Sequence, residues 1–461
     1  MLRKFIGDKA FYKNVMALTI PIMLQTGITN FVNMLDNIMI GKVGTVEMIG
    51  VAVSNQLFFV FNLCIFGALA GAGIFGAQFF GNNDHKGVQD TFRFRLIFCL
   101  LLTLAGMALF WFKGDFLISL YLKGEGNPAD AAASLGFAKN YLRIMLIGLI
   151  PYTLAQCYSS TLREVGKSMP PMVAGTIAVG VNLLLNYILI FGKFGAPALG
   201  TNGAAIATVI SRFVELAVVA VWTHLHKSQA KFIIGVYRSM RVPFKLTKQI
   251  LAKGLPLMMN EALWSLSVVV LNQCYSLRGL DVVAANNISQ TFWNVFSASF
   301  ISIGTAIGII LGQILGSGDM EKARDSSRKL IAFSIFVSVT MGILYIIFSL
   351  FIPHLYNTTE AVRILATRLM IISAFAMPLV SFINAAYFTL RSGGKTLITI
   401  IFDCGLAWIL IVPVGIILSN FTNISILPLY AICQALDFVK CVLGFIFVKR
   451  GTWIQNIVAN S

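Results

Sequence analysis

Three long runs without a charged side chain constrain the fold of this chain more than any other feature: residues 14–35, 168–192 and 330–353. About 20 apolar residues in an α-helix cross the ~30 Å hydrocarbon layer of a bilayer, so each run is long enough to span a membrane. A membrane-spanning β-strand would instead be roughly ten residues of strict alternation, a pattern that none of the three runs shows. The sequence therefore predicts an all-α membrane protein.

The composition agrees with lipid as the main solvent. Hydrophobic residues make up 57% of the chain and charged residues only 11%, so a water-soluble fold would expose far too much apolar surface. The formal net charge is +17, but the basic residues are spread between the apolar runs, so we expect no nucleic-acid partner. The seven cysteines form no CxxC pair and the four histidines are scattered, so we expect neither a disulfide framework nor a zinc site.

Apolar segments separated by charged loops predict twelve membrane spans. They lie at residues 14–38, 50–80, 94–112, 139–161, 169–192, 202–223, 250–276, 283–313, 329–352, 364–388, 397–418 and 426–447. An even number of spans places both termini on the same side of the membrane. The segments on that side carry about three times as many Lys and Arg residues as the opposite loops, so the positive-inside rule places both termini in the cytoplasm.

Polar loop sequences repeat between the two halves of the chain. At one constant offset, AQFFGNND at 77–84 falls on GQILGSGD at 312–319. At a slightly smaller offset, TLREVGKS at 161–168 falls on TLRSGGKT at 389–396. Chance matching of two apolar sequences does not align Arg, Gly, Lys and Asp in corresponding loops. We therefore predict an internal duplication.

The duplication predicts the organisation of the chain. Residues 1–225 form an N-terminal six-helix half, 226–248 a cytoplasmic linker loop, and 249–461 a C-terminal six-helix half. Two six-span copies run parallel and are related by an axis along the membrane normal. We expect twelve transmembrane helices in two pseudo-symmetric bundles around a central cleft, a plan that favours a transporter over a receptor, a lipid enzyme or a simple channel.

The repeated loops resemble those of the multidrug and toxic compound extrusion (MATE) family. The elements that carry the resemblance are LRxxG[KD][ST] after spans four and ten, QxxGxxD after spans two and eight, and LGTNGAAIAT at 199–208. They occur in the family's order and extend from Pro21 to about Arg450. The resemblance implies a MATE-like fold and export of amphipathic, often cationic compounds, driven by inward Na⁺ or H⁺ flow through alternating access. It implies no cofactor besides this coupling ion.

Asp36 in span one is the first candidate for ion coupling, because an ionisable side chain inside a span is costly and usually functional. In the DinF-like bacterial branch that the chain resembles, an Asp near this point is a cation or proton site. It works there with polar groups whose matching positions here are Asn182, Asn186 and Thr208. A carboxylate, two amide carbonyls and a hydroxyl suit Na⁺, but the branch has a second carboxylate where Asn186 stands. Its loss should weaken Na⁺ binding and leaves H⁺ coupling open; alternatively, Asp36 lies near the outer interface and meets water.

Glu261 in span seven is the second candidate, either for coupling or for attracting a cationic substrate into the C-terminal half. Other branches of the family pair a Glu on this span with an Asp on span ten. Span ten holds no acid between residues 369 and 390, so that pairing does not carry over. Alternatively, Glu261 only forms hydrogen bonds to neighbouring helices. Asp403 in span eleven, eight residues from Lys395 and with no pairing partner on its own helix, is the third and weakest candidate.

Two further acids are expected to be structural. Glu215 follows Arg212 by three residues, and Asp437 precedes Lys440 by three, so each acid can form an ion pair along its own helix.

Polar and aromatic residues within the spans are expected to line the central cleft and contact the substrate. They are Gln25, Asn33, Gln56, Gln156, Trp264, Asn287, Gln290 and Asn384. The abundance of Met and Phe suits loose recognition of varied apolar cations, although most of these residues must face lipid or pack helices.

Two other functions stay open on the sequence alone. A lipid or lipid-linked oligosaccharide flippase belongs to a related branch, but such a protein often has a strongly basic cavity, and few basic residues, Arg143, Arg212 and Lys440 among them, lie within spans. A membrane-embedded enzyme or a structural membrane protein is the alternative of another class. The sequence has neither a convergent His/Asp set nor a phosphate-binding GxxxxGK[ST] loop, so we expect no enzyme activity and no use of ATP. We expect a monomer in a bacterial inner membrane, with lipid and small organic molecules as its partners.

Overall fold

The structure, a computed structural model, describes residues 5–122, 128–356 and 358–459, and these ranges contain no β-strand. Twelve helices in the described ranges are long and apolar enough to cross a membrane. They are α1 (Lys9–Gly41), α2 (Thr45–Gly81), α3 (His85–Leu122), α4 (Pro128–Glu164), α5 (Met169–Phe191), α6 (Gly200–Leu225), α7 (Phe244–Ser276), α8 (Leu280–Gly316), α9 (Met320–Ser349), α10 (Glu360–Ser392), α11 (Thr396–Phe421) and α12 (Ile426–Arg450). The predicted all-α fold with twelve spans is confirmed. Most helices extend past the predicted spans, because hydropathy detects only the apolar part of a helix.

The bounds of the helices show the internal repeat. α1 and α7 each have 33 residues. α2 and α8 each have 37 residues. One constant offset, the same that aligns the loops at 77–84 and 312–319, places α1 on α7 and α2 on α8, and it also places Pro21 on Pro256 inside their helices. A common register over four helices supports the predicted duplication.

The chain divides into two compact units. The N-terminal unit is built from residues 24–76 and 84–248, and the C-terminal unit from residues 1–23, 77–83 and 249–461. The division follows the predicted halves, except that the first part of α1 and the segment at the end of α2 go with the C-terminal helices. The predicted linker goes with the N-terminal unit.

The linker is a folded part of the N-terminal unit. It contains two short 3₁₀ helices, Lys231–Ile233 and Val236–Arg238, whose apolar side chains are partly buried. Arg93 of α3 donates a hydrogen bond from Nε to the carbonyl oxygen of Val236 at 2.9 Å. The same guanidinium forms an ion pair with Asp90 at 2.9 Å, so α3 holds the linker in place.

A buried ion pair joins α3 to α4 within the N-terminal unit. The Nη2 atom of Arg95 lies 2.6 Å from both carboxylate oxygens of Glu164, and the side chain of Arg95 is fully buried. Gly73 and Gly76 of α2 lie directly against this carboxylate, where a side chain would collide with it. The small residues of α2 therefore make room for a buried charge pair.

The tail after α12 packs against loops of the C-terminal unit. Trp453 is fully buried. Asn456 donates from Nδ2 to the carbonyl oxygen of Gly316 at 3.0 Å, and the backbone N–H of Ile457 donates to Gln78 Oε1 at 2.8 Å. The tail thus connects the ends of α2 and α8.

α11 departs from regular helical geometry where its counterpart in the first half, α5, does not. α5 is an α-helix of 23 residues, whereas α11 has 26 and includes two π-helical stretches, Ile401–Gly405 and Ala407–Ile411. A π-bulge accommodates an extra residue in a helix and occurs frequently at functional sites. Asp403 lies in the first of these stretches.

Candidate functional site

The N-terminal unit contains a polar cavity of about 290 Å³. Its polar lining comprises Gln25, Thr29, Asn33, Asp36, Asn62, Tyr152, Gln156, Asn182, Thr208, Ser211, Arg212 and Glu215. The residues from α1 recur at intervals of three or four, so they lie on one face of that helix. The folding of α1 beside α5 and α6 therefore brings a carboxylate and several amides to one cavity.

Asp36 is held by a side-chain amide from α5. Asn186 donates from Nδ2 to Asp36 Oδ1 at 2.7 Å, a short distance that fits a charge-assisted hydrogen bond. Asn186 is 1% exposed, and its Oδ1 has no hydrogen-bond partner among the described residues. This buried amide therefore turns its nitrogen to the carboxylate, and its carbonyl oxygen is left without a donor.

The amide of Asn182 completes the link from Asp36 to Thr208. With its nitrogen turned towards the carboxylate, this amide donates to Asp36 Oδ2 at 3.2 Å and accepts from Thr208 Oγ1 at 3.2 Å. With the amide turned the other way, its carbonyl oxygen faces the carboxylate, which suits a bound cation instead of a hydrogen bond. The four residues that the sequence predicted as a coupling site therefore form one connected group.

The charged pair on α6 lies in the same cavity. Arg212 Nη1 is 3.3 Å from Glu215 Oε2, which confirms the predicted ion pair along the helix. The Arg212 guanidinium also lies 4.9 Å from the ring centroid of Tyr152, within the range of a cation–π interaction. Asp36 forms no ion pair within the described part of the chain, although Arg212 lines the same cavity.

The C-terminal unit contains a second cavity, of about 360 Å³. Its aromatic and charged lining comprises Trp264, Tyr275, Trp293, Asp403, Tyr430, Asp437 and Lys440. This cavity is more aromatic than the first, and it also holds three charged side chains.

Lys440 bridges two carboxylates in this second cavity. Its Nζ lies 3.6 Å from Asp437 Oδ1 and 3.6 Å from Asp403 Oδ1. The predicted pair on α12 is confirmed, but Asp403, for which the sequence indicated no pairing partner on its own helix, also pairs with Lys440. The ammonium group comes from another helix, and spacing along α11 carries no information about it.

Glu261 lies beside this cluster, outside the residues that line the cavity. Tyr387 donates from its hydroxyl to Glu261 Oε1 at 3.2 Å, which agrees with the alternative of hydrogen bonding to neighbouring helices. The preceding residue, Asn260, donates from Nδ2 to Asp403 Oδ2 at 3.0 Å.

The predicted cleft residues fall into three groups. Gln25, Asn33 and Gln156 line the N-terminal cavity, and Trp264 and Gln290 line the C-terminal one. Gln56, Asn287 and Asn384 are not among the lining residues of either cavity. Asn384 lies instead against Gly304 of α8, within the helix packing. The central cleft itself stays a prediction.

Sequence reasoning missed part of both linings. Asn62 and Tyr152 join the first cavity, and Asn272 and Tyr430 the second. The two asparagines carry the same signal as the predicted residues, a polar side chain within an apolar span, but so do residues that line neither cavity.

The charged pairs of α6 and α12 have opposite orders along the chain: the base comes first on α6 and the acid comes first on α12. When the last residue of α6, Leu225, is aligned with the last residue of α12, Arg450, Arg212 falls on Asp437 and Glu215 on Lys440. In this alignment of the helix ends, the two ion pairs occupy the same positions with their signs reversed.

The family model described as MatE matches residues 21–188 and 256–417, one match in each half of the repeat. These two matches cover most of the chain. The chain belongs to the MatE family. This confirms the resemblance seen in the loops, and it confirms the expectation of a multi-pass membrane transporter as opposed to an enzyme.

Bacterial relatives of this MatE protein match nearly its whole length. A probable multidrug resistance protein, NorM of Thermotoga maritima, is 26% identical over 97% of this chain and 94% of its own length. The probable multidrug resistance protein YoeA of Bacillus subtilis is 24% identical over 91% of this chain and 89% of its own length.

Solved structures of related transporters have the same fold. An outward-facing multidrug resistance MATE family transporter of the MOP superfamily superimposes with a TM-score of 0.87, at 18% identity and 98% coverage of both chains. A MOP superfamily transporter from Pyrococcus furiosus superimposes with a TM-score of 0.84, also at 18% identity and 98% coverage of both chains.

Proposed function

We propose that this MatE protein exports amphipathic cationic organic compounds from the cell, driven by the inward flow of Na⁺ or H⁺ that is coupled at Asp36. Both termini lie in the cytoplasm, and the protein acts as a monomer. The two halves move so that the site opens in turn to each side of the membrane. The names of the bacterial relatives support the export of drugs. The excess of basic residues on the side of the termini supports the orientation.

One observation carries the assignment of the coupling site: Asp36 is a carboxylate without an ion pair among the described residues, in a polar cavity inside a membrane helix. A cation or proton that binds there supplies the positive charge that no basic side chain provides in an ion pair with Asp36. Na⁺ finds oxygen ligands in the carboxylate and in the amide carbonyl oxygens of Asn182 and Asn186. H⁺ needs only the carboxylate, and both asparagines can then rearrange their hydrogen bonds.

The coupling step follows from this charge balance. An empty, ionised Asp36 is costly in lipid, so the site favours either an ion or an arrangement that exposes it to water. Binding of Na⁺ or H⁺ neutralises the carboxylate and allows the N-terminal unit to change conformation. The site thus links ion entry to substrate export because the charge state selects the conformation.

Uptake of ethidium into inverted membrane vesicles tests the proposal, with a Na⁺ or H⁺ gradient imposed in separate experiments. We expect wild-type uptake to depend on one of the gradients and Asp36→Asn to abolish this dependence. Asp115→Asn is the matched control, because the Asp115 side chain is 61% exposed and pairs with Lys139 at the surface of the N-terminal unit.

Each outcome has a distinct meaning. Gradient-driven uptake that survives Asp36→Asn contradicts the coupling role of Asp36, and Glu261→Gln then tests the second candidate. The absence of wild-type uptake for several cationic dyes contradicts cation export and favours a flippase, which a lipid-translocation assay on the same vesicles detects.

A further inference from the structure

The cavity of the C-terminal unit contains charged groups that the proposed coupling site does not use. Asp403, Asp437 and Lys440 line it together with four large aromatic side chains. Charged side chains within membrane helices are costly and commonly mark the pathway of a substrate or ion. This cluster lies around the π-helical stretch of α11, a deviation that the equivalent helix α5 lacks.

Lys440 balances only one of the two carboxylates. Its ammonium lies 3.6 Å from an oxygen of each, and the formal charges of these three lining side chains leave one negative charge in excess; Glu261 lies outside the lining. The Lys440 side chain is 8% exposed, whereas those of Asp403 and Asp437 are 16% and 17% exposed. The two aspartate side chains are therefore more exposed than the lysine side chain, and all three line the cavity.

The amide next to Asp403 also has a buried carbonyl oxygen without a hydrogen-bond donor among the described residues. Asn260 is 1% exposed, and its Nδ2 donates to Asp403, whereas its Oδ1 has no hydrogen-bond partner among the described residues. Asn186 is related to Asp36 in the same way in the N-terminal unit. Each unit thus contains a carboxylate held by an asparagine whose carbonyl oxygen lacks a donor.

We propose that the C-terminal cavity binds an organic monocation, whose charge is held by Asp403 and Asp437, and that Lys440 sets the number of charges that the site accepts. The aromatic walls contact the apolar part of the ligand and add cation–π attraction. The Lys440 ammonium neutralises one of the two carboxylates, so one negative charge is left for the ligand. It also repels the second charge of a dication. This inference rests on the proposed function and names the residues that select the substrate by its charge.

Equilibrium dialysis with purified full-length protein tests the role of Lys440. The probes are tetraphenylphosphonium, an aromatic monocation, and methyl viologen, an aromatic dication. We expect wild type to bind tetraphenylphosphonium more tightly than methyl viologen. In Lys440→Met, the Kd of methyl viologen divided by the Kd of tetraphenylphosphonium should fall by about tenfold or more. A unit charge at contact distance in a medium of intermediate dielectric contributes more than one decade of affinity. Lys449→Met is the matched control on the same helix, where the side chain is exposed, and leaves the ratio unchanged.

A charge-compensated variant separates charge from shape. Lys440→Met combined with Asp437→Asn restores one negative charge, so we expect the preference for the monocation to return. If Lys440→Met does not fold, Asp437→Asn alone keeps the test open, because it leaves no excess charge and should weaken the binding of tetraphenylphosphonium.

Several results overturn the proposal. One is an unchanged ratio of the two dissociation constants in a folded Lys440→Met variant, and another is a preference for the dication that persists in the double variant. The others are binding of tetraphenylphosphonium that Asp437→Asn does not weaken and the lack of saturable binding of either probe to wild type. Its failure is distinguishable from failure of the proposed function, which is read from gradient-driven uptake by wild-type vesicles. Asp36→Asn is expected to lose that uptake and to keep the wild-type ratio of dissociation constants.

Discussion

Introducing a second carboxylate beside Asp36 is the sharpest test of the N-terminal site. In Asn186→Asp the new carboxylate replaces an amide whose nitrogen lies 2.7 Å from Asp36 Oδ1. A monovalent cation about 4 Å from the added charge gains about 4 kcal/mol at an effective dielectric constant of about 20. Two adjacent carboxylates also tend to share a proton, which removes part of this gain at neutral pH. We therefore expect the Na⁺ concentration for half-maximal transport to fall by at least about tenfold, which corresponds to about 1.4 kcal/mol.

The assay is ethidium uptake into inverted vesicles over a series of Na⁺ concentrations at mildly alkaline pH. Asn62→Asp is the matched control, because Asn62 lines the same cavity and has no hydrogen bond to Asp36 among the described residues. If wild type is coupled to H⁺, the variant should acquire a response to Na⁺ that the control lacks. An active Asn186→Asp variant with an unaltered response to Na⁺ would refute the assignment of Asn186 to the ion site.

Two further predictions concern stability. Arg95→Met should destabilise the protein by about 3–5 kcal/mol, because it leaves the Glu164 carboxylate buried without its partner. Thermal unfolding in detergent measures this loss. Lys86→Met removes an exposed side chain of α3 and should have little effect. Trp453→Ala should cost about 3–5 kcal/mol by emptying a fully buried site and should speed proteolysis of the tail, whereas Trp111→Ala, at a side chain that is 65% exposed, should change neither. Unfolding temperatures that do not separate each variant from its control would contradict these assignments.

The family resemblance supplied the grouping of the N-terminal candidate residues. Asp36, Asn182 and Asn186 are polar residues in otherwise apolar spans, and lipid makes such residues costly unless they meet one another. The resemblance supplied Asn182, Asn186 and Thr208, and the spacing of four residues places the two asparagines on one face of α5. The structure brings these residues together in one hydrogen-bonded group.

The C-terminal site was predicted less well, because its decisive contacts join different helices. Asp403 has no basic residue within one turn of α11, and its partner Lys440 comes from α12. The π-helical stretch around Asp403 changes the direction in which its side chains point, and the amino-acid composition of α11 does not indicate this stretch. Gln56, Asn287 and Asn384 are as polar as the residues that do line a cavity, so polarity alone did not separate the two sets.

The sequence by itself indicated the twelve spans, the internal repeat and the family, and the family resemblance then supplied the residues of the N-terminal candidate site. These properties depend on local composition, on spacing along one helix or on repeated loops, all of which can be read along the chain. Only the tertiary structure decided that the linker folds onto α3, that the tail packs against the ends of α2 and α8, and that Lys440 joins two carboxylates. These contacts depend on which helix faces lie against each other, and in a membrane protein most faces are equally apolar, so hydrophobicity does not specify their neighbours.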